Sequence, residues 1–206
     1  MTHNLILKDK VGTTLGMCTR RILATYRQAT RSDLDYGRRW YADGHDHVID
    51  IARMGGISVE RAAIVVAHMS PRTQWSANLT GARSLVTTRT APGCMGANID
   101  RALRAMDAED PWSTFTPDAR KIHRFARNLL GDTSVITVDV WAVRIATGRG
   151  YGAKLRQGDR VETLLSRTGV YDAMERAYLN AAKIIGEIGT TVQAATWIVA
   201  RNGRHN

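Results

Sequence analysis

Apolar residues recur along most of the chain at the three- and four-residue spacing of an α-helix. The clearest case is the segment 118–130, where Ile122, Phe125, Ala126 and Leu129 follow the positions i, i+3, i+4 and i+7. The same period, less regular, predicts further helices over residues 13–30, 36–54, 75–88, 139–148, 158–166, 171–188 and 190–201. The pattern therefore predicts an all-α fold.

Two short segments depart from this amphipathic pattern. The run AAIVVAHM is apolar on every side, which predicts a buried central helix with Ser58 as its N-cap and with Pro71 beyond its end. Residues Val135–Val138 are strand-like instead. One extended piece of four residues is too little for a sheet, so the fold class stays all-α.

Positive charge is the strongest feature of the composition. The 206 residues include 29 Lys+Arg and 19 Asp+Glu, which gives a formal net charge of +10, and arginine outnumbers lysine. Guanidinium groups bind phosphates in a bidentate manner, so the predicted partner is a polyanion such as DNA. No apolar run approaches the roughly 20 residues that span a bilayer. We expect a single domain over residues 1–206 that is cytoplasmic, binds no membrane and needs no obligate protein partner.

Metal and cofactor sites are not predicted. Cys18 and Cys94 lie far apart and form no CxxC pair. His45 and His47 are one residue apart, so they cannot share a helix face, and no third ligand accompanies them. Phosphate-binding glycine loops and hydrolase motifs are absent from the sequence.

Asp139 stands where the strand-like segment meets the next helix. An aspartate in front of a helix is commonly an N-cap. A carboxylate held there also keeps its charge, and in a dry pocket lined by Val138 and Val140 it can activate a nucleophile or stabilise a developing cation. Capping alone and capping combined with catalysis both stay open.

A cluster of cations occupies the polar face of the predicted helix 118–130. It consists of Arg120, Lys121, Arg124 and Arg127. Three interpretations stay open: a solvated basic surface, a face that tracks DNA phosphates, and an amine nucleophile at Lys121.

The loop that follows the buried helix is rich in hydrogen-bond donors. Arg72, Gln74, Trp75 and Asn78 are the types of side chain that hold or replace a flipped base. Trp75 would stack on the base, and Gln74 and Asn78 would read its edge. The alternative is an ordinary turn between helices with Trp75 packed in the core.

A lysine on a helix, the connection VITVD and the helix VWAVRIATG together resemble the end of the helix-hairpin-helix DNA glycosylase superfamily. The resemblance covers roughly residues 57–148 and matches Lys121 to the Schiff-base lysine of lyase-active members, Asp139 to the catalytic aspartate and Arg144 to a later arginine. The stretch 114–120 keeps Pro117 but has no hairpin glycine. The chain is also similar to small bacteriophage proteins in its segments AHMSPRTQWSAN, VDVWAVRIA and QAATW.

The resemblance implies a two-lobed helical bundle around a basic cleft, with Asp139 in its floor. The implied function is base processing on a flipped-out nucleotide of DNA, as in an N-glycosylase, with lyase activity if Lys121 attacks C1′. A second possibility is a phage transferase that attaches an amine to an activated thymine. A third is a DNA-binding protein without catalysis.

Overall fold

The computed structural model of the protein describes residues 2–149 and 160–201. Within these residues no β-strand is present and the all-α prediction is confirmed. None of the described helices is both long enough and apolar enough to cross a membrane. The α-helices are α1 (His3–Lys10), α2 (Leu15–Tyr26), α3 (Arg31–Gly55), α4 (Val59–Met69), α5 (Trp75–Thr88), α6 (Gly96–Asp107), α7 (Arg120–Leu129), α8 (Val140–Thr147), α9 (Val170–Ile185) and α10 (Gly189–Ala200).

The chain divides into two compact units. The first combines Met1–Trp40 with Thr133–His205, and the second is the continuous segment Tyr41–Asp132. The sequence predicted two lobes around a basic cleft, and the cleft stays a prediction.

The core of the first unit is formed mainly by helices. Helix α2 packs against α8, α9 and α10, while α1 packs against α9. Tyr171 and Tyr178 of α9 are among the largest fully buried side chains. Because two phenol groups are buried here, this core must also supply hydrogen-bond partners for them.

The extended segment Val135–Val138 is buried, and side chains of α9 bond its backbone at Ile136 and Val138. The Tyr171 hydroxyl donates to the Ile136 carbonyl at 2.9 Å and accepts from the Val138 amide at 3.0 Å. The Glu175 carboxylate accepts from the Ile136 amide at 2.8 Å. Bonds from helix side chains therefore satisfy backbone groups of a buried extended segment that belongs to no β-sheet among the described residues.

The second unit surrounds the helix that was predicted to be central. Every residue of Ala62–Met69 is buried, and α4 packs against α5, α6 and α7. Ser58 caps the helix as predicted, because its hydroxyl accepts from the Arg61 amide at 3.1 Å. The Arg61 guanidinium donates to carbonyls at and beyond the end of α6, those of Ala105, Met106 and Ala108.

The predicted helices differ from the observed ones mainly at their ends. The segment 13–30 contains the shorter α2, and 118–130 contains α7, whose four predicted apolar residues are all buried. Residues 158 and 159 of the predicted helix 158–166 lie outside the described residues, and Val161–Ser166 is a 3₁₀ helix. The sequence reasoning missed α1 and α6.

Candidate functional site

Asp139 is the N-cap of α8, as the local sequence predicted. Its backbone is extended, with φ −104° and ψ −176°, and its Oδ1 atom accepts from the Ala142 amide at 2.7 Å. The residue is half-buried, next to the fully buried Val138 and the half-buried Val140. The capping bond fixes the carboxylate in one orientation at the positive end of the helix dipole.

A buried phenol lies near this carboxylate. Tyr178 donates from its hydroxyl to the Ala142 carbonyl at 3.3 Å. Burial raises the pKa of Tyr178 above its usual range, and the negative charge of Asp139 raises that pKa further. The phenol therefore stays protonated, and it ties α9 to the first turn of α8 that Asp139 caps.

Arg144 lies one turn along α8 and stacks on a neighbouring indole. Its guanidinium carbon is 4.2 Å from the centroid of the Trp141 ring. Both residues are half-buried. Stacking on the indole restricts the orientation of the guanidinium plane.

The cations predicted on one helix face all belong to α7. Their side chains are half-buried: Arg120, Lys121, Arg124 and Arg127. Arg127 forms an ion pair with Asp132, with 2.7 Å between Nε and Oδ2. Arg124 donates from Nη1 to the Nδ1 atom of His123 at 3.4 Å. Lys121 and Asp139 belong to different units, so their joint action is left to experiment.

The loop after α4 presents two of the predicted side chains at the surface. Arg72 and Gln74 are exposed, and Arg72 has a φ of +57° in the left-handed region. Asn98 holds the loop from beneath, because its Nδ2 atom donates to the Pro71 carbonyl at 2.9 Å. A non-glycine residue in this conformation is uncommon and costs energy, so the loop conformation is determined by such contacts.

Trp75 and Asn78, at the start of α5, have more interior positions. Trp75 is half-buried and makes an edge contact with Phe125 at a centroid distance of 6.1 Å. Asn78 is only 1% exposed, and its Nδ2 atom donates to the Val66 carbonyl at 3.2 Å. Its Oδ1 atom is buried and has no hydrogen-bond partner among the described residues. Base stacking by Trp75 and edge reading by Asn78 stay predictions.

The sequence reasoning missed a buried histidine at the end of α4. His68 is completely buried; burial, and then the charges of Arg101 and Arg104, lower its pKa to about 4. The Thr114 hydroxyl lies 2.9 Å from His68 Nε2 and donates its own proton to the Pro111 carbonyl. Nε2 therefore carries the imidazole proton.

That tautomer makes His68 Nδ1 a bare acceptor, and it is buried without a partner in the described part of the chain. Arg101 has a buried Nε donor that is likewise unpaired there, while its Nη2 atom donates to Asn98 at 2.7 Å. Such groups are few in folded proteins and call for an explanation. The sequence feature that could have indicated this buried group is the single histidine in the otherwise apolar run AAIVVAHM.

No group of three or more histidine, cysteine, aspartate or glutamate side chains that could hold an ion occurs among residues 2–149 and 160–201. His45 uses its Nδ1 atom to donate to the Leu129 carbonyl at 2.7 Å, and His47 lies 6.3 Å from the Trp75 ring. The two histidines are thus engaged with different neighbours.

The match to a family spans nearly the whole chain. Residues 4–204 match the family of unknown function DUF7178, so the protein belongs to that family. No curated protein and no solved structure matches the chain.

Proposed function

We propose that the protein processes a base of DNA on a flipped-out nucleotide, in the manner of an N-glycosylase, with Asp139 as its catalytic carboxylate. The observation that carries this proposal is the carboxylate at the N-terminus of α8. One oxygen of Asp139 is held at 2.7 Å by the Ala142 amide, yet the residue is only half-buried. It is thus fixed, charged and partly accessible in a chain with a net charge of +10.

The cations of α7 would hold the DNA backbone. Four of them stand on one helix, and each phosphate contact releases condensed counterions from the DNA. Arg120, Lys121 and Arg124 are the candidates for these contacts, and Arg127 forms an ion pair with Asp132. These contacts position the duplex without reading its sequence.

The loop 70–74 and α5 would support the extruded nucleotide. Arg72 and Gln74 are exposed on a loop whose conformation is fixed from beneath, so they can replace the base in the stack or contact the opposite strand. The indole of Trp75 adds an aromatic surface at the start of the next helix.

The reaction is a displacement at C1′ of the flipped nucleotide. Asp139 accepts a proton from water as the water oxygen bonds to C1′ and the N-glycosidic bond breaks; the departing base takes the bonding electron pair and is protonated from solvent. Before that bond forms, the carboxylate stabilises the positive charge that develops on the sugar. If the neutral Lys121 amine attacks instead, Nζ bonds to C1′ as the N-glycosidic bond breaks and the base leaves with the electron pair; loss of a proton from the nitrogen and cleavage of the C1′–O4′ bond, with protonation of O4′, then give the imine.

Mass spectrometry of nucleosides and free bases tests the proposal. The protein is incubated with unmodified DNA and with DNA that carries phage-type modified thymines. We expect release of a free base by the wild type and loss of that release in Asp139→Asn. Asparagine caps helices as well as aspartate does, so the fold and the DNA affinity are retained.

Asp50→Asn is the matched control, because it makes the same chemical change at an exposed position of α3. Gain of an amine substituent on thymine, with release of pyrophosphate, would assign the transferase chemistry instead. Unchanged DNA with both variants still binding would leave a DNA-binding protein without catalysis. Either result contradicts the glycosylase proposal.

A further inference from the structure

Three aromatic rings of the second unit form a cluster that the proposed reaction does not use. Trp112 lies in the 3₁₀ turn Pro111–Thr114, Phe115 follows it, and His123 projects from α7. The ring centroids are 5.8 Å apart for Trp112 and Phe115, 5.2 Å for Trp112 and His123, and 5.3 Å for Phe115 and His123. All three residues are half-buried, so each keeps part of its surface in solvent.

Hydrogen bonds and stacking hold this cluster in place from below. The Trp112 indole N–H donates to Glu60 Oε1 at 2.6 Å, and the Trp112 amide donates to the Asp110 carboxylate at 2.9 Å. The buried His68 ring stacks on Phe115 at a centroid distance of 4.5 Å. Rings that are already ordered lose little conformational entropy when a ligand packs on them.

The His123 ring behaves as a neutral aromatic. Its Nδ1 atom accepts from the Arg124 guanidinium at 3.4 Å, which requires that nitrogen to be unprotonated. Burial, followed by the charges of Arg124 and Arg127, lowers the pKa of His123, in agreement with that geometry. The cluster therefore presents three uncharged π surfaces at neutral pH.

Charges of opposite sign flank the cluster. Arg120 and Arg124 belong to the same helix as His123, whereas Glu60 and Asp110 accept hydrogen bonds from Trp112. A strand of nucleic acid would keep its phosphates along α7 and turn its bases towards Trp112. This arrangement of aromatic rings beside cations is typical of proteins that bind single strands.

We infer that Trp112, Phe115 and His123 form a stacking platform for the unpaired bases of single-stranded DNA, whose phosphates are bound by the arginines of α7. This inference rests on the DNA-binding part of the proposed function and deepens it, since it names the ligand as a strand with unstacked bases. It assigns no role to Asp139 and needs no turnover.

Fluorescence anisotropy with two labelled ligands of equal charge tests the platform. One is an oligothymidylate about 12 nucleotides long, and the other is an abasic phosphodiester of the same length that has phosphates but no bases. We expect the wild type to bind oligothymidylate about tenfold or more tightly than the abasic strand. A pure phosphate-binding surface would bind both equally, and that result would overturn the inference.

Variants of the cluster locate the preference. Trp112→Ala is expected to reduce oligothymidylate affinity about tenfold and to leave abasic affinity unchanged, whereas Trp112→Phe keeps the preference. Trp197→Ala is the matched control, because Trp197 is a half-buried indole of the first unit that stacks on Arg201. Phe115→Leu keeps an apolar side chain and gives a second test of the ring if Trp112→Ala does not fold.

Other ligands are separated in the same assay. Tighter binding of oligouridylate than of oligothymidylate would assign the surface to RNA, and competition by polyglutamate as effective as that by oligothymidylate would assign it to an acidic protein. Each of these outcomes overturns the inference. Loss of both affinities by the same factor in a folded Trp112→Ala would do so too.

The inference and the proposed function can fail separately. Base release by the wild type and by Asp139→Asn measures the proposed function, whereas the ratio of oligothymidylate affinity to abasic affinity measures the platform. A preference for bases without base release removes the proposed function alone. Base release that depends on Asp139, without that preference, removes the platform alone.

Discussion

Single side chains in this protein combine a structural role with a proposed catalytic role, and Asp139 is the clearest case. Its carboxylate is required locally because the amide groups of the first turn of α8 need an acceptor, and Ala142 finds one at 2.7 Å. The same bond would orient the group for catalysis. A capping role therefore does not argue against a catalytic one, and the two are separated only by choosing substitutions that remove one function each.

Asp139→Ala removes both functions and Asp139→Asn removes only the charge. We expect the alanine variant to lower the free energy of unfolding by about 0.5–2 kcal/mol, because the Ala142 amide loses its acceptor. The asparagine variant should stay within a few tenths of a kcal/mol of the wild type. Urea denaturation of both variants measures the difference, and equal losses would mean that charge rather than capping stabilises the turn.

His68 should make stability depend on pH. Its pKa is about 4 in the folded protein, against 6.5 for the unperturbed group. Between these pH values His68 is protonated in the unfolded chain but neutral in the folded protein. The contribution of His68 to the free energy of unfolding is therefore constant above pH 6.5 and falls as the pH decreases towards 4. The full loss from this residue is roughly 3 kcal/mol.

Urea denaturation from pH 7.5 down to pH 5 measures this dependence. We expect His68→Gln to flatten the slope below about pH 6.5, because glutamine does not titrate in this range. His3→Gln, at the first residue of α1, serves as the control and should leave the slope unchanged. The same slope in His68→Gln and in the wild type would show that other groups cause the pH dependence.

At the scale of elements, the sequence predicted most helices because burial on one face leaves a period in the chain. Helix α7 was predicted within two residues at its start, and the all-apolar α4 is buried throughout Ala62–Met69. Helices α1 and α6 were missed. Helix α6 buries chiefly small or polar side chains, those of Asn98, Ala102 and Ala105, which give a weak periodic signal.

The sequence predicted only those candidate site residues that belong to a recognisable local pattern. Asp139 lies between a strand-like segment and a helix, and the arginines of α7 lie on the polar face of an amphipathic helix. The aromatic cluster was not predictable, because Trp112 and Phe115 meet His123 through tertiary packing and no spacing in the sequence indicates their contact. The burial of Asn78 was equally hidden, since a polar residue near a helix start gives no sign of the core it faces.

The extended segment 135–138 should depend on one hydroxyl group of α9. Tyr171→Phe leaves the Ile136 carbonyl and the Val138 amide without the partner they have in the wild type. We expect the free energy of unfolding to fall by about 2–4 kcal/mol, because both groups stay buried. Tyr26→Phe is the control, since the hydroxyl of this half-buried residue bonds Glu187 near the surface, and its loss should cost about 1 kcal/mol or less. Thermal or urea unfolding that ranks the two variants equally would contradict this explanation of the segment.

For the whole molecule, the net charge of +10 makes DNA binding depend on salt in any of the proposed mechanisms. If Arg120, Lys121 and Arg124 each neutralise one phosphate of a single strand, the logarithm of the affinity falls with the logarithm of the salt concentration at a slope of about −2. Such a slope reports the number of phosphate contacts and does not separate an enzyme from a binding protein. Substitutions at the candidate catalytic residues must therefore distinguish the possible reactions.

Substitutions of Lys121 and Asp139 make this distinction. Lys121 lies in the continuous unit, and Asp139 lies in the unit formed by both ends of the chain. If water is the nucleophile, Lys121→Gln keeps base release and sodium borohydride traps no covalent complex with either the variant or the wild type. If Lys121 attacks C1′, the wild type forms a borohydride-trapped adduct that Lys121→Gln loses completely.

The lack of a glycine-containing hairpin in residues 114–120 favours the first outcome, since the phosphate there must be held by side chains, Lys121 among them. We therefore expect base release without trapping, with DNA affinity reduced a few-fold in Lys121→Gln and the salt slope reduced by about 1, as gel assays and anisotropy would measure. A trapped adduct at Lys121 would show instead that the lysine amine is the nucleophile at C1′.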